Sequence, residues 1–238
     1  MRFPKTFPSG FSLTLRPQSL DIPLRWKKPR TIFVNSMSDL FHADVPEDYL
    51  QLVFDVIRRT PQHTYQILTK RAERMARLAP RLCWPSNIWM GVSVETPQYA
   101  WRIDYLRKVP ARVRFVSAEP LLAGLPKLNL AGIHWLIAGG ESQTGCRRAE
   151  LDWFRDLRDQ CVSAGVLFFL KQLGGHPSKR GGDQATLDGC RWLEMPHVIA
   201  ADAASASPLT VAIARSAGRS AHHSRSRRRS KADKAVSP

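Results

Sequence analysis

Six short apolar runs, each followed by polar residues, recur between residues 31 and 172 and constrain the fold more than any other feature. They read TIFV, TYQIL, IWMGVSV, VRFVSA, HWLIAG and VLFFL. Runs of this length that are apolar at nearly every position are typical of strands buried on both faces. Because helical patterns alternate with them, the sequence predicts an α/β fold whose parallel strands are covered by helices.

Helical segments are predicted between most of these strands. The first is expected to begin at Asp44, whose carboxylate forms a capping box with Glu47 ahead of an apolar stripe over residues 50–57. The others are predicted from residue 96, over residues 150–164 and, more weakly, over residues 70–78. Between VRFVSA and HWLIAG a Pro/Gly-rich loop replaces the helix. The pattern therefore predicts a partial, TIM-like parallel βα barrel of about six strands, with a doubly wound sheet as the alternative.

The formal net charge of +16 is concentrated at the two ends of the chain. Residues 1–30 contain seven Lys and Arg and one acidic residue, and residues 197–238 contain eight and two. We predict a basic N-terminal segment at 1–30, a βα barrel domain at 31–196 and a disordered tail at 197–238, too poor in apolar residues to order itself. Such a tail is either solvated or binds nucleic acid weakly, without sequence readout.

Neither a membrane segment nor a metal site is indicated. No apolar run approaches the roughly 20 residues of a membrane helix, and the N-terminus lacks the apolar core of a signal peptide. We therefore expect a soluble cytoplasmic protein with no membrane partner. Its four cysteines, Cys83, Cys146, Cys161 and Cys190, form no Cys-x-x-Cys pair, so they are expected to be reduced thiols rather than metal ligands.

Polar or charged residues follow each of the six apolar runs. In βα barrels the carboxyl ends of the strands converge on one face, where loops on a rigid scaffold carry catalytic and binding groups. The candidate site residues at these ends are Asn35, Ser36, Ser38, Asp39, Lys70, Ser93, Glu95, Ser117, Glu119, Gly139, Gly140, Glu141 and Lys171. The sequence predicts that they share one rim, with Glu119, Glu141 and Lys171 as the catalytic candidates.

A purely structural interpretation stays open at several of these positions. Glu119 precedes a proline and can simply finish a turn, and Asp39 can pair with Arg30 or with a neighbouring loop. Two consecutive glycines such as Gly139 and Gly140 are also typical of a tight turn. Their functional interpretation is that glycines let the backbone approach a ligand and expose N–H groups to an anion.

The strand-end motifs, in their order along the chain, resemble a known protein family. FVNSMSDLFH, PQHTYQILTKR, WMGVSVE, RFVSAEPLL, WLIAGGES and FFLKQLGG are similar to a phage and prophage family labelled phage gene product thirty-seven / sixty-eight, over residues 9–196. That family resembles radical S-adenosylmethionine (SAM) enzymes, which are partial βα barrels with a [4Fe–4S] cluster bound by three cysteines of an N-terminal loop. The resemblance implies SAM and [4Fe–4S] as cofactors and a radical reaction on a substrate that no motif identifies.

The same resemblance implies roles for the strand-end residues. Those expected to bind the cofactor are Asn35, Ser36, Ser38, Asp39, Ser93, Glu95, Ser117, Gly139 and Gly140. The polar side chains of NSMSD are expected to accept hydrogen bonds from the ammonium group of SAM. The chain departs from the family at the cluster, because it begins just before SGFSLTLRPQSL and has no Cys-x-x-Cys motif. We therefore expect a truncated form that lacks the first strand, binds no cluster and is inactive as written.

Two other functions compete with this radical-SAM-like hypothesis. One is a nucleic-acid-associated, non-enzymatic protein that uses its basic ends. The other is a metal-independent enzyme that uses Glu95, Glu119 and Glu141 as acid–base groups.

Overall fold

A single sheet of six parallel strands organises the chain. The computed structural model describes residues 12–36 and 38–197. The strands are β1 (Thr31–Val34), β2 (Thr64–Thr69), β3 (Ile88–Ser93), β4 (Val113–Ala118), β5 (Trp135–Gly139) and β6 (Leu167–Gln172). Each pairs in parallel with the next, in the order of the sequence, so that the sheet curls into a half-barrel. The predicted α/β partial barrel is confirmed, and the doubly wound alternative is wrong because its strand order would reverse.

Four α-helices accompany the strands of the described chain. They are α1 (Glu47–Arg59), α2 (Ala72–Leu78), α3 (Arg102–Leu106) and α4 (Leu151–Ala164). The expectation that Asp44 caps α1 is wrong. Proline disfavours helical geometry in the residue before it, so the helix starts after Pro46, which is itself extended and gives α1 no side-chain cap. The Asp44 N–H instead donates to Nδ1 of His42, 3.3 Å away.

The remaining helical predictions hold in substance. The apolar stripe of α1, at Leu50, Val53, Phe54 and Ile57, is buried. Helix α4 ends as expected at Gly165, which takes the left-handed conformation (φ 68°) that a glycine adopts at low cost. The link between β4 and β5 contains no helix, and its Leu125, Leu130 and Ile133 are buried in the core instead.

Different segments of the chain lie against the two edges of the half-barrel. At the β6 edge residues 192–194 run antiparallel to the strand: the Leu170 N–H donates to the Trp192 carbonyl, and the Glu194 N–H donates to the Phe168 carbonyl. At the other edge the described part of the predicted 1–30 segment packs onto the domain, with Leu20 against the core. Most of the predicted tail, residues 198–238, lies outside the described residues. No helix of the described chain is long and apolar enough to cross a membrane.

Candidate functional site

Aromatic rings fill the concave face of the half-barrel on the amino-terminal side of the strand ends. The side chains of Trp89, Phe115, Trp135 and Phe169 lie in an apolar cluster to which no helix contributes. The ring centroid of Trp135 is 5.7 Å from those of Trp89 and Phe115 and 5.9 Å from that of Phe169. Rings at these separations pack against one another. This aromatic layer therefore occupies the concave face of the sheet and leaves the carboxyl ends of the strands beyond it.

Small residues occupy this face of the sheet at the carboxyl ends of β3, β4 and β5. Side chains of a strand alternate between its two faces, so Ser93, Ser117 and Gly139 point to the same side as the aromatic layer. Ser93 and Ser117 are paired in register. A Cβ on Gly139 would lie 2.9 Å from Cδ of Glu119, so that only glycine leaves room for this carboxylate. The strand ends therefore form a shallow floor with the charged side chains around it.

Glu119 lies over this floor at the end of β4. Its Oε2 is 3.0 Å from Nζ of Lys171, and its Oε1 accepts a hydrogen bond of 3.4 Å from Nε2 of Gln172. The Glu119 side chain is mostly buried, whereas that of Lys171 is half exposed. The two predicted catalytic residues Glu119 and Lys171 are thus in direct contact across the end of β5.

Glu95, just beyond β3, is held between two cations. Nζ of Lys70 contacts one of its carboxylate oxygens, and Nη1 of Arg102 donates to the other over 3.1 Å. The side chains of Glu95 and Arg102 are 6% and 9% exposed, and the Arg102 guanidinium lies 4.1 Å from the ring centroid of Tyr99. Nη1 of Arg102 also donates to the Ser93 carbonyl, which fixes the carboxylate to the strand end. Sequence reasoning missed Arg102, because nothing in its helix distinguishes it from a solvated arginine.

Asp39 joins the end of β1 to the end of β2. Its Oδ1 accepts from the N–H of Phe41 and the hydroxyl of Thr69, at 2.9 and 2.7 Å. Its Oδ2 accepts from the N–H of Lys70 and from Nη1 of Arg71, at 3.0 and 3.2 Å. Four donors occupy both oxygens, so the structure gives Asp39 a positioning role. Of the two structural alternatives, Asp39 pairs with the neighbouring loop after β2 and not with Arg30.

The neighbouring residues of the NSMSD motif are placed differently. Asn35 has a left-handed backbone (φ 57°), and its carbonyl accepts the N–H of Ser38 in a tight turn. Asn35, Ser36 and Ser38 are exposed and line a cleft of about 1190 Å³ at the β1 side of the barrel. Lys70 and Ser93 line the same cleft. The structure therefore brings the predicted cofactor-binding residues of β1 to β3 together, whereas Glu119 and Lys171 lie beyond the cleft towards β6.

Glu141 and the two glycines before it make contacts that hold the loop after β5 in place. Arg147 binds Glu141 through two side-chain nitrogens, both at 3.0 Å, and holds the pKa of Glu141 at about 2. Glu141 is therefore a permanent carboxylate at neutral pH, unsuited to donate a proton. The N–H of Gly140 donates to the Gln172 carbonyl, and a Cβ on Gly140 would lie 2.3 Å from the Leu173 carbonyl oxygen. The Gly140 N–H, which was expected to face an anion, is therefore already hydrogen-bonded within the protein.

One protein-family profile matches nearly the whole folded part of the chain. It is described as "Protein of unknown function (DUF5131)" and matches residues 3–196. The chain belongs to the DUF5131 family. A search of curated proteins and a search of solved structures each found no match. The DUF5131 match covers all six strand ends, so the rim described above belongs to the family region of the chain.

The four cysteines of this DUF5131 protein are free thiols. Cys83 and Cys190 are exposed, Cys146 is half-buried, and Cys161 is buried in the core side of α4. Burial raises the pKa of Cys161 to about 12, so that it stays a neutral thiol. Residues 12–36 and 38–197 contain no cluster of three or more His, Cys, Asp or Glu side chains that could hold a metal ion.

Proposed function

We propose that the carboxyl-terminal rim of this half-barrel binds SAM or a closely related adenosyl sulfonium compound. The observation that carries the proposal is the set of small, buried residues Ser93, Ser117 and Gly139 at the strand ends, with the Glu119 carboxylate packed over Gly139 and Glu95 just beyond Ser93. SAM combines a flat base, a ribose with two hydroxyls, an ammonium group and a sulfonium cation. A floor without bulky side chains accommodates the first two, and the partly exposed Glu119 carboxylate, whose cation partner is Lys171, attracts a cation of the ligand.

In this proposal the residues divide into two groups. Asn35, Ser36 and Ser38, exposed on the cleft, are available to the polar groups of the ligand. Asp39 and Arg102 position the rim, because both oxygens of Asp39 and the Nη1 of Arg102 are hydrogen-bonded within the protein. This reassigns the ammonium contact predicted for the NSMSD motif to its Asn and Ser side chains.

A [4Fe–4S] cluster does not fit the described residues. Such a cluster takes thiolate ligands, and Cys83, Cys146, Cys161 and Cys190 form no group among them. We therefore derive no reductive step, and we propose that this chain by itself binds SAM without cleaving it. After anaerobic incubation with iron and sulfide we expect less than about one iron per chain; uptake of about four irons with iron–sulfide absorbance would contradict this.

Calorimetry with SAM and S-adenosylhomocysteine tests the binding proposal directly. The two ligands differ in the sulfonium charge, so the native chain is expected to prefer SAM by about tenfold, or about 1.4 kcal/mol. Glu119→Gln keeps the shape of the side chain and removes its charge, and should reduce this preference towards unity. The exposed Glu150→Gln is the matched control and should leave it unchanged. No heat of binding at millimolar SAM, or an undiminished preference in Glu119→Gln, would refute the proposal.

The same geometry reduces the candidate acid–base residues of a metal-independent enzyme from three carboxylates to one. Arg147 keeps Glu141 ionised, and Glu95 lies between two cations in a buried position. Glu119 is the carboxylate that combines partial exposure with a lysine at 3.0 Å. A metal-independent enzyme built on this rim would therefore use the pair of Glu119 and Lys171. Turnover of a substrate that survives Glu119→Gln would exclude it.

A further inference from the structure

The two ends of the half-barrel differ in how their cations are neutralised. On the carboxyl-terminal rim, five basic side chains each contact a carboxylate. These pairs are Lys70 and Arg102 with Glu95, Arg71 with Asp39, Arg147 with Glu141 and Lys171 with Glu119. Each of these five cations therefore has a carboxylate partner on the rim itself.

A first group of cations lies where β1 begins. Lys27, Lys28 and Arg30 are exposed, and Arg30 directly precedes the strand. The Arg30 carbonyl accepts the N–H of Thr64 over 2.9 Å, which places it beside the start of β2. The Arg30 guanidinium lies 4.4 Å from the ring centroid of Trp26. This segment is thus fixed to the amino-terminal edge of the sheet.

A second group lies where β4 begins. Lys108 follows α3 and is exposed, with Nζ 4.5 Å from the ring centroid of Tyr105, and Arg112 directly precedes the strand. All six strands run in the same direction, so the starts of β1 and β4 lie on the same edge. Three strand spacings of about 4.8 Å separate them, or about 14 Å along the sheet.

These five cations are not neutralised by the described chain. We call them the amino-terminal face: Lys27, Lys28, Arg30, Lys108 and Arg112. No carboxylate of residues 12–36 and 38–197 lies within ion-pair distance of any of them. Three acids near this edge are engaged elsewhere: Asp55 and Asp104 pair with arginines of their own helices or helix ends, and Oε2 of Glu194 accepts the N–H of Phe168.

We propose that the amino-terminal face binds the phosphate backbone of duplex DNA, at the end of the barrel opposite the SAM rim. Its two groups of cations are about 14 Å apart, close to the roughly 12 Å width of the major groove, so each can contact one of the two strands that border the groove. The backbone of Glu194 pairs with Phe168 near the start of β6, so the chain passes His197 at this same end. Residues 197–238 contain eight basic and two acidic residues, so their net charge is positive, like that of the amino-terminal face.

Fluorescence anisotropy of a labelled 20-base-pair duplex, titrated with the full chain at 50 to 200 mM salt, tests this surface. One variant replaces all five residues of the amino-terminal face by Gln. The control variant removes the same number of exposed cations elsewhere, at Arg77, Lys127, Arg148, Lys179 and Arg191. Both variants lose five charges, so they separate a local contact from an effect of net charge.

The variant of the amino-terminal face is expected to bind at least tenfold more weakly at 100 mM salt. Its plot of log K against log salt should become shallower by about 0.9 per lost phosphate contact, or up to about 4.5 in total. The control should stay within about threefold of the native chain and keep its slope. Equal losses in both variants, an unchanged slope, absence of duplex binding, or tighter binding to vesicles rich in phosphatidylserine than to the duplex would each overturn the proposal.

Discussion

Gly91 in the middle of β3 offers a direct test of how the concave face is packed. A Cβ added to this glycine would lie 2.4 Å from Cε2 and Cζ of Phe115 and 2.7 Å from Cδ2 of the same ring. Carbon atoms in contact are normally about 3.5–4.0 Å apart, so Gly91→Ala creates an overlap of more than about 1 Å. Phe115 is fully buried against Trp135 and cannot swing into solvent.

The size of the effect follows from two opposing contributions. Overpacking of a dense core costs about 1–3 kcal/mol, and the rigid surroundings of Phe115 favour the upper part of that range. The alanine recovers about 0.4–1 kcal/mol by restricting the unfolded chain. We expect Gly91→Ala to lower the free energy of unfolding by about 2 kcal/mol, equivalent to about 4–8 °C in Tm for a domain of this size.

Urea unfolding followed by tryptophan fluorescence measures this change. Gly124→Ala is the matched control: its Cβ would lie 3.2 Å from the half-buried Trp153 ring, which can yield, and should cost less than about 1 kcal/mol. Phe115→Leu should remove the clash, so that Gly91→Ala is neutral or stabilising in that background. If Gly91→Ala costs the same with and without Phe115→Leu, the steric reasoning is wrong.

Three further predictions concern the rim and the thiols. Asp39→Ala leaves four donors without their acceptor and should cost about 2–4 kcal/mol in urea unfolding, against less than about 0.5 for the exposed Asp44→Ala. The pKa of Glu141 falls from 4.5 to about 2 on folding, so its contribution to stability is complete above pH 4.5 and disappears as pH falls towards 2. Because its arginine partner is exposed, this amounts to less than about 1 kcal/mol, and Glu141→Gln should flatten the pH dependence of unfolding over that interval. A thiol reagent should modify the two exposed cysteines of the native chain within seconds and Cys161 on unfolding; a fast reaction of Cys161 would contradict its burial.

The layout of the fold was predictable because it depends on short-range patterns. Each apolar run became a strand within two residues of its predicted ends, and α4 ended at Gly165 as expected. The start of α1 was not predictable from a capping motif alone. At Asp44 two local rules conflict, and the geometry imposed by Pro46 prevails over the capping box.

The roles of the individual rim residues were not predictable, because they depend on partners distant in sequence. Glu119 meets Lys171 across 52 positions, and Asp39 meets Thr69 across 30. A sequence shows that a carboxylate stands at a strand end, but it does not show whether another element of the fold already occupies its oxygens. Sequence reasoning predicted cofactor binding for Asp39 and catalysis for Glu119, whereas in the structure four donors occupy the oxygens of Asp39 and the Glu119 side chain stays partly exposed.

The sequence by itself determined the direction of the strands and the end of the barrel at which the polar side chains gather, since both follow from the alternation of strand and helix. Tertiary structure alone decided which charges are cancelled, because ion pairing depends on distances of a few ångströms between separate loops. For the same reason five basic side chains of the rim have carboxylate partners, whereas five cations at the other end have none among the described residues.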